Sequence, residues 1–221
     1  MNPHFNRTDP DVLAILTDRI SPGRLGTYTA LAGGDATEAL RLYDWNVTVS
    51  AAFSADLARF EVVLRNALDA EASARFGSDW LLRGTGLTAD SQRDVHKAQR
   101  RLLKRGVDRA ALKAAPGRLL AELTLGFWRY LLTADYEQSL WRPALHKAFP
   151  HSGRVRRSKV HKPIMHLHEL RNRIAHCEPI VRRTLQRDHD DLLMVAGWIC
   201  PHAQAWIRET SMVPQVLTDR P

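Results

Sequence analysis

Apolar residues return every three or four positions along nearly the whole chain. That is the period of helices with one buried stripe. The apolar–polar alternation of a half-buried strand is absent. "DPDVLAILTDRI" opens with an Asp cap and a Pro in the first turn, then carries Val12, Leu13, Ile15 and Leu16. "SPGRLGTYTALAGG" reads as a short helix closed by two glycines. From Asp35 to Phe76 the pattern has no Pro or Gly, so it is one helix, or two with a bend near Thr48–Ser50. "GSDWLLRGTG" reads as a loop with a brief turn. Thr88 caps and Gly106 stops the helix of "TADSQRDVHKAQRRLLKRG". "GRLLAELTLGFWRYLLT" is the most apolar segment and belongs at the centre. In "DYEQSLWRPALHKAFP", Pro143 breaks or starts a helix. A helix over 158–177 follows, and "RDHDDLLMVAGWICPHAQAWIRET" closes the fold with a kink at Pro201. The expectation is an all-α, single-domain helical bundle. Residues 1–34 form an N-terminal helical segment, 35–212 the main body and 213–221 a C-terminal tail.

Two polar residues break the pattern. With Val160 at zero and about 100° per residue, Ile164, Leu167, Arg171 and Ile174 fall within roughly 40° of it. Arg171 therefore stands in an apolar stripe, where an unpaired guanidinium is costly and needs a partner or an anion. His161, His168, Asn172 and His176 line one flank. Pro179 disfavours helix at Glu178, which leaves His176 in the last turn, where the helix dipole favours a cation. Histidine is also the side chain that trades protons near neutral pH. On the earlier helix Leu57, Phe60, Leu64 and Leu68 form the stripe, and Glu61 falls among them. Glu61 is expected to be largely buried against Arg65 at i+4, against Arg171, or against both.

Charge changes the picture next. The net charge is +8 and the pI about 10.0. That balance favours a polyanion, either nucleic acid or an anionic membrane surface. The positive charge is clustered. Residues 93–109 hold seven Arg or Lys, Arg100, Arg101 and Lys104 among them, against two Asp. Residues 147–163 hold Lys147, Arg154, Arg156, Arg157, Lys159 and Lys162 with no acid, and lead into the helix of Arg171 and His176. Two such runs suit a groove that tracks phosphates. Cys177 and Cys200 form neither a metal-like pair nor a disulfide framework. No signal pattern opens the chain, and no apolar run reaches the ~18 residues of a membrane span. A cytoplasmic protein that does not enter membranes is expected.

"LRNRIAHCEPI", preceded by "LYDWN", "FEVVLRNAL" and "FGSDWLL" and followed by "DHDDLLMVAGWICP", resembles the Abi-like family of bacterial abortive-infection proteins of the AbiD/AbiF type. The likeness runs over roughly residues 40 to 210. "RNRIAH" also resembles the signature of HEPN ribonucleases. The resemblance implies a HEPN-like helical fold and, in active relatives, RNA cleavage without a metal or other cofactor. It places the catalytic pair on Arg171 and His176, with Asn172 as the polar residue beside the arginine; Glu61, Arg65, Asn66 and His168 are expected to support this catalytic group. Where the family commonly has a second His, this chain has Cys177. "LRNAL" at 64–68 has no histidine four to six residues beyond Arg65 and is no second motif.

The residue types suit that chemistry. RNA carries its own nucleophile, the 2′-OH. A histidine can take its proton or protonate the leaving oxygen. An arginine can hold the phosphate and stabilise its growing charge. Arg171 and His176 diverge by about 140° on the wheel, so a homodimer with two such sets around one cleft is expected. The expected partners are RNA, a second copy of the chain and an RNA or protein antitoxin. The main rival reading is a HEPN-like module in phage defence that binds RNA or a partner without cleaving. A metal nuclease built on His161, His166 and His168 is disfavoured, because His166 and His168 point apart. A membrane-embedded prenyl-protein protease would need several spans and a catalytic glutamate motif, and the sequence shows neither.

Overall fold

The computed structural model describes residues 9–114, 117–153 and 155–221. Among them there is no strand, and the fold is all-α in a single domain. Its axis is α3, Ala36–Phe76, one helix of 41 residues capped by Asp35, whose side chain accepts from the Glu38 amide. No bend occurs at Thr48–Ser50, because one buried stripe runs straight through. Trp45, Val49, Phe53, Leu57, Phe60, Leu64, Leu68 and Ala72 succeed one another at steps of three or four, each at most 6% exposed. A stripe that long rewards one continuous helix.

Before α3 come α1 (Pro10–Ile20) and α2 (Pro22–Leu31). Asp9 caps α1, and Gly33 and Gly34 take the positive φ values that end the α2 segment. The expected turn after α3 is α4 (Trp80–Arg83). Thr88 caps α5 (Ala89–Lys104), and Gly106 follows at φ +84°. Then come α6 (Arg109–Ala114) and α7 (Gly117–Glu122).

The most apolar segment forms two helices: the chain is extended at Thr124 and resumes as α8 (Leu125–Tyr130). The break buries both Leu123 and Leu125. Pro143 breaks the helical path as expected, between the π turn at Glu137–Trp141 and the 3₁₀ turn at Leu145–Ala148. The segment at Pro201 is broken, not kinked. Cys200 is extended between α10 (Leu185–Ile199) and α11 (Pro201–Thr210).

The motif helix is α9, Arg157–Ala175, with Pro163 inside it. It packs on α3, α8 and α10. The segment expected as a tail instead contains α12 (Val213–Thr218), which packs on α3. Val213 and Val216 are buried, and Trp45 Nε1 donates to the Val216 carbonyl at 2.7 Å. A buried polar knot ties α3, α10 and the start of α12. Asp56, fully buried, accepts from Ser211 Oγ and from Arg59 at 3.0 Å, with His189 3.8 Å away. No helix among the described residues is long and apolar enough to cross a membrane.

Candidate functional site

α9 is amphipathic, but its buried arc is rotated from the expected one. Val160, Pro163, Ile164, Leu167 and Leu170 are buried. Arg171 lies between Val160 and Ile164 on the wheel, to one side of the arc's centre, and is only half-buried, as is Ile174. From there the guanidinium acts on Glu61 of α3. Glu61 is half-buried there, and burial pushes its carboxyl above the usual range, while Arg171, the Leu125 amide and Arg65 pull it back. The opening of the chain at Thr124 thus serves Glu61, because it frees the Leu125 amide at the start of α8. Among the described residues no ion pair closes within 4 Å between Glu61 and either arginine, so the coupling is through space.

A further cation stands on the α8 side of α9. Arg129 stands alone as a charge in residues 123–132, and it bears on both His161 and His168. Burial first, then Arg129, holds both histidines below their ordinary pKa, with Arg157 acting on His161 and Arg171 on His168. The neutral His168 ring suits its neighbour: Asn172 Nδ2 lies 3.2 Å from His168 Nε2, placed to donate. α8 approaches this ring so closely that a Cβ on Gly126 would sit 2.8 Å from Nε2. Nε of Arg65, Nε of Arg129 and Nε2 of His161 are buried without hydrogen-bond partners. Two guanidiniums, Arg65 and Arg171, therefore act on one carboxylate, while Arg65 and Arg129 each keep an unsatisfied Nε donor. Asn66 is exposed on α3, outside this group.

His176 is elsewhere. It is the exposed C-cap of α9, diverging by about 140° from Arg171 around the helix. One chain thus places Arg171 against Glu61 and His176 toward solvent. The loop that carries His176 is closely held. Cys177 takes the left-handed conformation at φ +52°. Its amide donates to the Ile174 carbonyl, and the Glu178 amide to the Arg173 carbonyl at 2.8 Å. This paired closure is a Schellman motif, with cysteine at the position glycine usually fills. Arg24 of α2 donates to the Cys177 carbonyl at 2.8 Å, and buried Asn46 of α3 accepts from the Ile180 amide at 2.9 Å. Arg173 approaches Glu178 at 3.5 Å.

The basic residues divide. Arg156, Lys159 and Lys162 are exposed around the first turns of α9. Arg157 is not: its guanidinium is 15% exposed and donates to Glu137 at 2.8 Å and to the Leu132 carbonyl at 2.6 Å. It fastens α9 to the turns before it rather than facing RNA. Arg154 lies outside the described residues. On α5, Arg101 is tied to Glu122 at 3.1 Å, while Arg100 and Lys104 are exposed. Arg100 lines a hollow of about 800 Å³ with Leu82, His96 and Leu103. Among the described residues no group of three His, Cys, Asp or Glu is placed to hold a metal ion.

Sequence reasoning missed Arg24, Asn46 and Arg129. Arg129 had a signal, a lone charge in the most apolar segment. Arg24 and Asn46 had none, since each acts across more than a hundred residues of chain. No protein-family model, curated protein or solved structure matches the chain.

Proposed function

We propose that the chain is a metal-independent endoribonuclease of the HEPN type, acting in the cytoplasm in bacterial phage defence as an abortive-infection protein or a toxin. The observation that carries the reading is the end of α9, with His176 exposed on a fixed cap and Arg171 one and a half turns earlier, half-buried and acting on Glu61. In the reaction the 2′-oxygen attacks the adjacent phosphorus as its proton leaves to a base. The P–O5′ bond breaks, the 5′-oxygen takes a proton, and a 2′,3′-cyclic phosphate and a 5′-OH remain. His176 is assigned the proton transfer and Arg171 the phosphate charge. Asn172 orients His168, and Glu61 offsets the guanidinium charges that repel one another. Because Arg171 and His176 diverge, the working site draws on two chains related by a two-fold axis. An RNA or protein antitoxin would act by covering this face.

The test is incubation of purified protein with RNA in the presence of a chelator. Cleavage leaving 2′,3′-cyclic ends, abolished in His176→Ala and Arg171→Ala, supports the reading. A second reading, an RNA- or partner-binding module without cleavage, draws on the same divergence of Arg171 and His176 within one chain. RNA bound but left intact by the wild-type dimer would decide for it.

A further inference from the structure

The groove between the first turns of α9 and the second half of α10 plays no part in the reaction above. Its floor is apolar, made of Pro163, Met194 and Trp198 with Val155 at one end. Its rim is cationic, made of Arg156, Lys159, Lys162 and Arg187. No acidic residue lines it, and it encloses about 650 Å³. Arg156, Lys159 and Lys162 have no acidic partner among the described residues. Arg187 has only a 4.0 Å approach to Asp191, with its own side chain 66% exposed. The hollow does not end there. Met194 and Trp198 also wall a second hollow of about 460 Å³ that continues to Gln204 and Arg208 on α11. Val155 and Arg156 are shared with a third of about 370 Å³, which is bounded by Trp141. Three hollows in a row with common walls form a track, which fits a linear chain better than a compact small molecule.

We propose that this track binds single-stranded RNA, with a base laid on Met194 and Trp198 and the flanking phosphates on Arg156, Lys159, Lys162 and Arg187. The match is one of chemistry. An unpaired nucleotide offers a flat apolar face beside an anion, and the groove offers a recessed apolar floor beside four cations. A duplex hides its base faces and could use only the rim. A flat anionic membrane could reach the rim but not the floor. The proposal rests on the reading of the chain as an RNA-directed protein and adds strandedness and path to it. Lys162 and His176 lie about 40° apart on α9 and ~21 Å apart along it. At about 3.4 Å per stacked nucleotide, some six nucleotides join the groove to His176.

The experiment measures binding by full-length His176→Ala protein, which keeps the RNA whole. Fluorescence anisotropy compares oligouridylate of about twelve nucleotides with the same chain made abasic, with duplex RNA, with an acidic peptide and with vesicles of phosphatidylcholine and phosphatidylserine. The expected result is binding of the oligouridylate about tenfold tighter than of the abasic chain, a similar loss in Met194→Glu, and none in Met194→Leu. A Lys159→Glu/Lys162→Glu protein should lose affinity for both chains and show a shallower salt dependence. A 4-thiouridine chain should photo-crosslink to the 194–198 segment. Equal affinity for the abasic chain, or tighter binding of duplex, acidic peptide or vesicles, overturns the proposal. The nuclease reading fails separately. If Met194→Glu leaves RNA affinity unchanged while His176→Ala abolishes cleavage, the track falls and the nuclease stands. If groove variants lose RNA in a protein that never cleaves it, the track stands and the nuclease falls.

Discussion

Glu61 occupies one position in a stripe otherwise filled by Leu57, Phe60, Leu64 and Leu68, all at most 3% exposed. Its carboxylate answers one donor, the Leu125 amide, and the through-space charge of Arg171 and Arg65. Replacement by alanine leaves those groups facing one another, so Glu61→Ala should cost about 1–3 kcal/mol in urea unfolding and reduce RNA cleavage. That is less than a fully buried ion pair would cost, because the site is only half-buried. Glu61→Gln keeps an acceptor for Leu125 and should lose less stability than alanine does. Equal losses in the two variants would mean that shape, not the acceptor, matters. Cys177 makes the opposite case. A side chain in the left-handed region costs about 1–2 kcal/mol, and glycine returns part of that gain through unfolded-state entropy. Cys177→Gly should therefore raise stability by about 0.5–1 kcal/mol. A melting temperature unchanged or lowered would show that the cysteine side chain has contacts that outweigh its backbone strain.

The elements were largely legible before the structure. Capping residues placed the starts of α1 and α5, and the absence of Pro and Gly from Asp35 to Phe76 marked α3 as one helix or two, which the structure resolves as one. What escaped was set by distant partners. Thr124 breaks the apolar segment although nothing local but its hydroxyl hints at it, since the gain comes from Glu61 on α3 meeting the Leu125 amide. The rotation of α9 escaped for a like reason. Spacing alone cannot distinguish a stripe centred on Leu167 and Arg171 from one shifted toward Leu170. The packing of α8 and α10 on either side decides it. Of the candidate residues, Arg171, Glu61 and His168 are brought together, whereas His176 faces away and Arg157 is spent on Glu137. Gly126 is the contact point of α8 with α9. Gly126→Ala would put a methyl group 2.8 Å from His168 Nε2, and the ring or the helix must yield. The expected loss is about 1–3 kcal/mol, together with a weakened Asn172–His168 hydrogen bond seen as a changed His168 imidazole resonance. An unshifted resonance and full stability would show that α8 floats freely over α9.

For the molecule as a whole, three histidines set the response to acid. His161, His168 and His189 are all held below the ordinary 6.5, burial being the largest cause in each. Their folded values lie below their unfolded ones, so the stability they contribute is full above 6.5 and is lost as pH falls through the lowered values. Melting temperature should fall between about pH 7 and pH 5. The slope should be shallower in His189→Gln, once the neutral variant's own offset is subtracted. Asp56, Glu61, Asp69 and Asp191 are shifted upward instead, with burial leading each time. Their protonation favours the fold as pH falls and so opposes the histidines, and an unchanged slope in His189→Gln would contradict the part given to that histidine. Assembly has its own test. An Arg171→Ala chain mixed with a His176→Ala chain should regain part of the RNA cleavage each lacks alone, because a mixed dimer rebuilds one composite site. A chain that stays monomeric at working concentration and cleaves fully would rule the composite site out. The length of α3 governs how that monomer must be recognised. Its 41 residues extend ~61 Å, whereas a spherical fold of this chain length would be about 44 Å across. A rod longer than the sphere it runs through makes a particle that tumbles slowly and elutes early. On a sizing column a single chain will run slightly ahead of a sphere of its mass, so the stoichiometry is better weighed by light scattering or sedimentation equilibrium, where shape drops out.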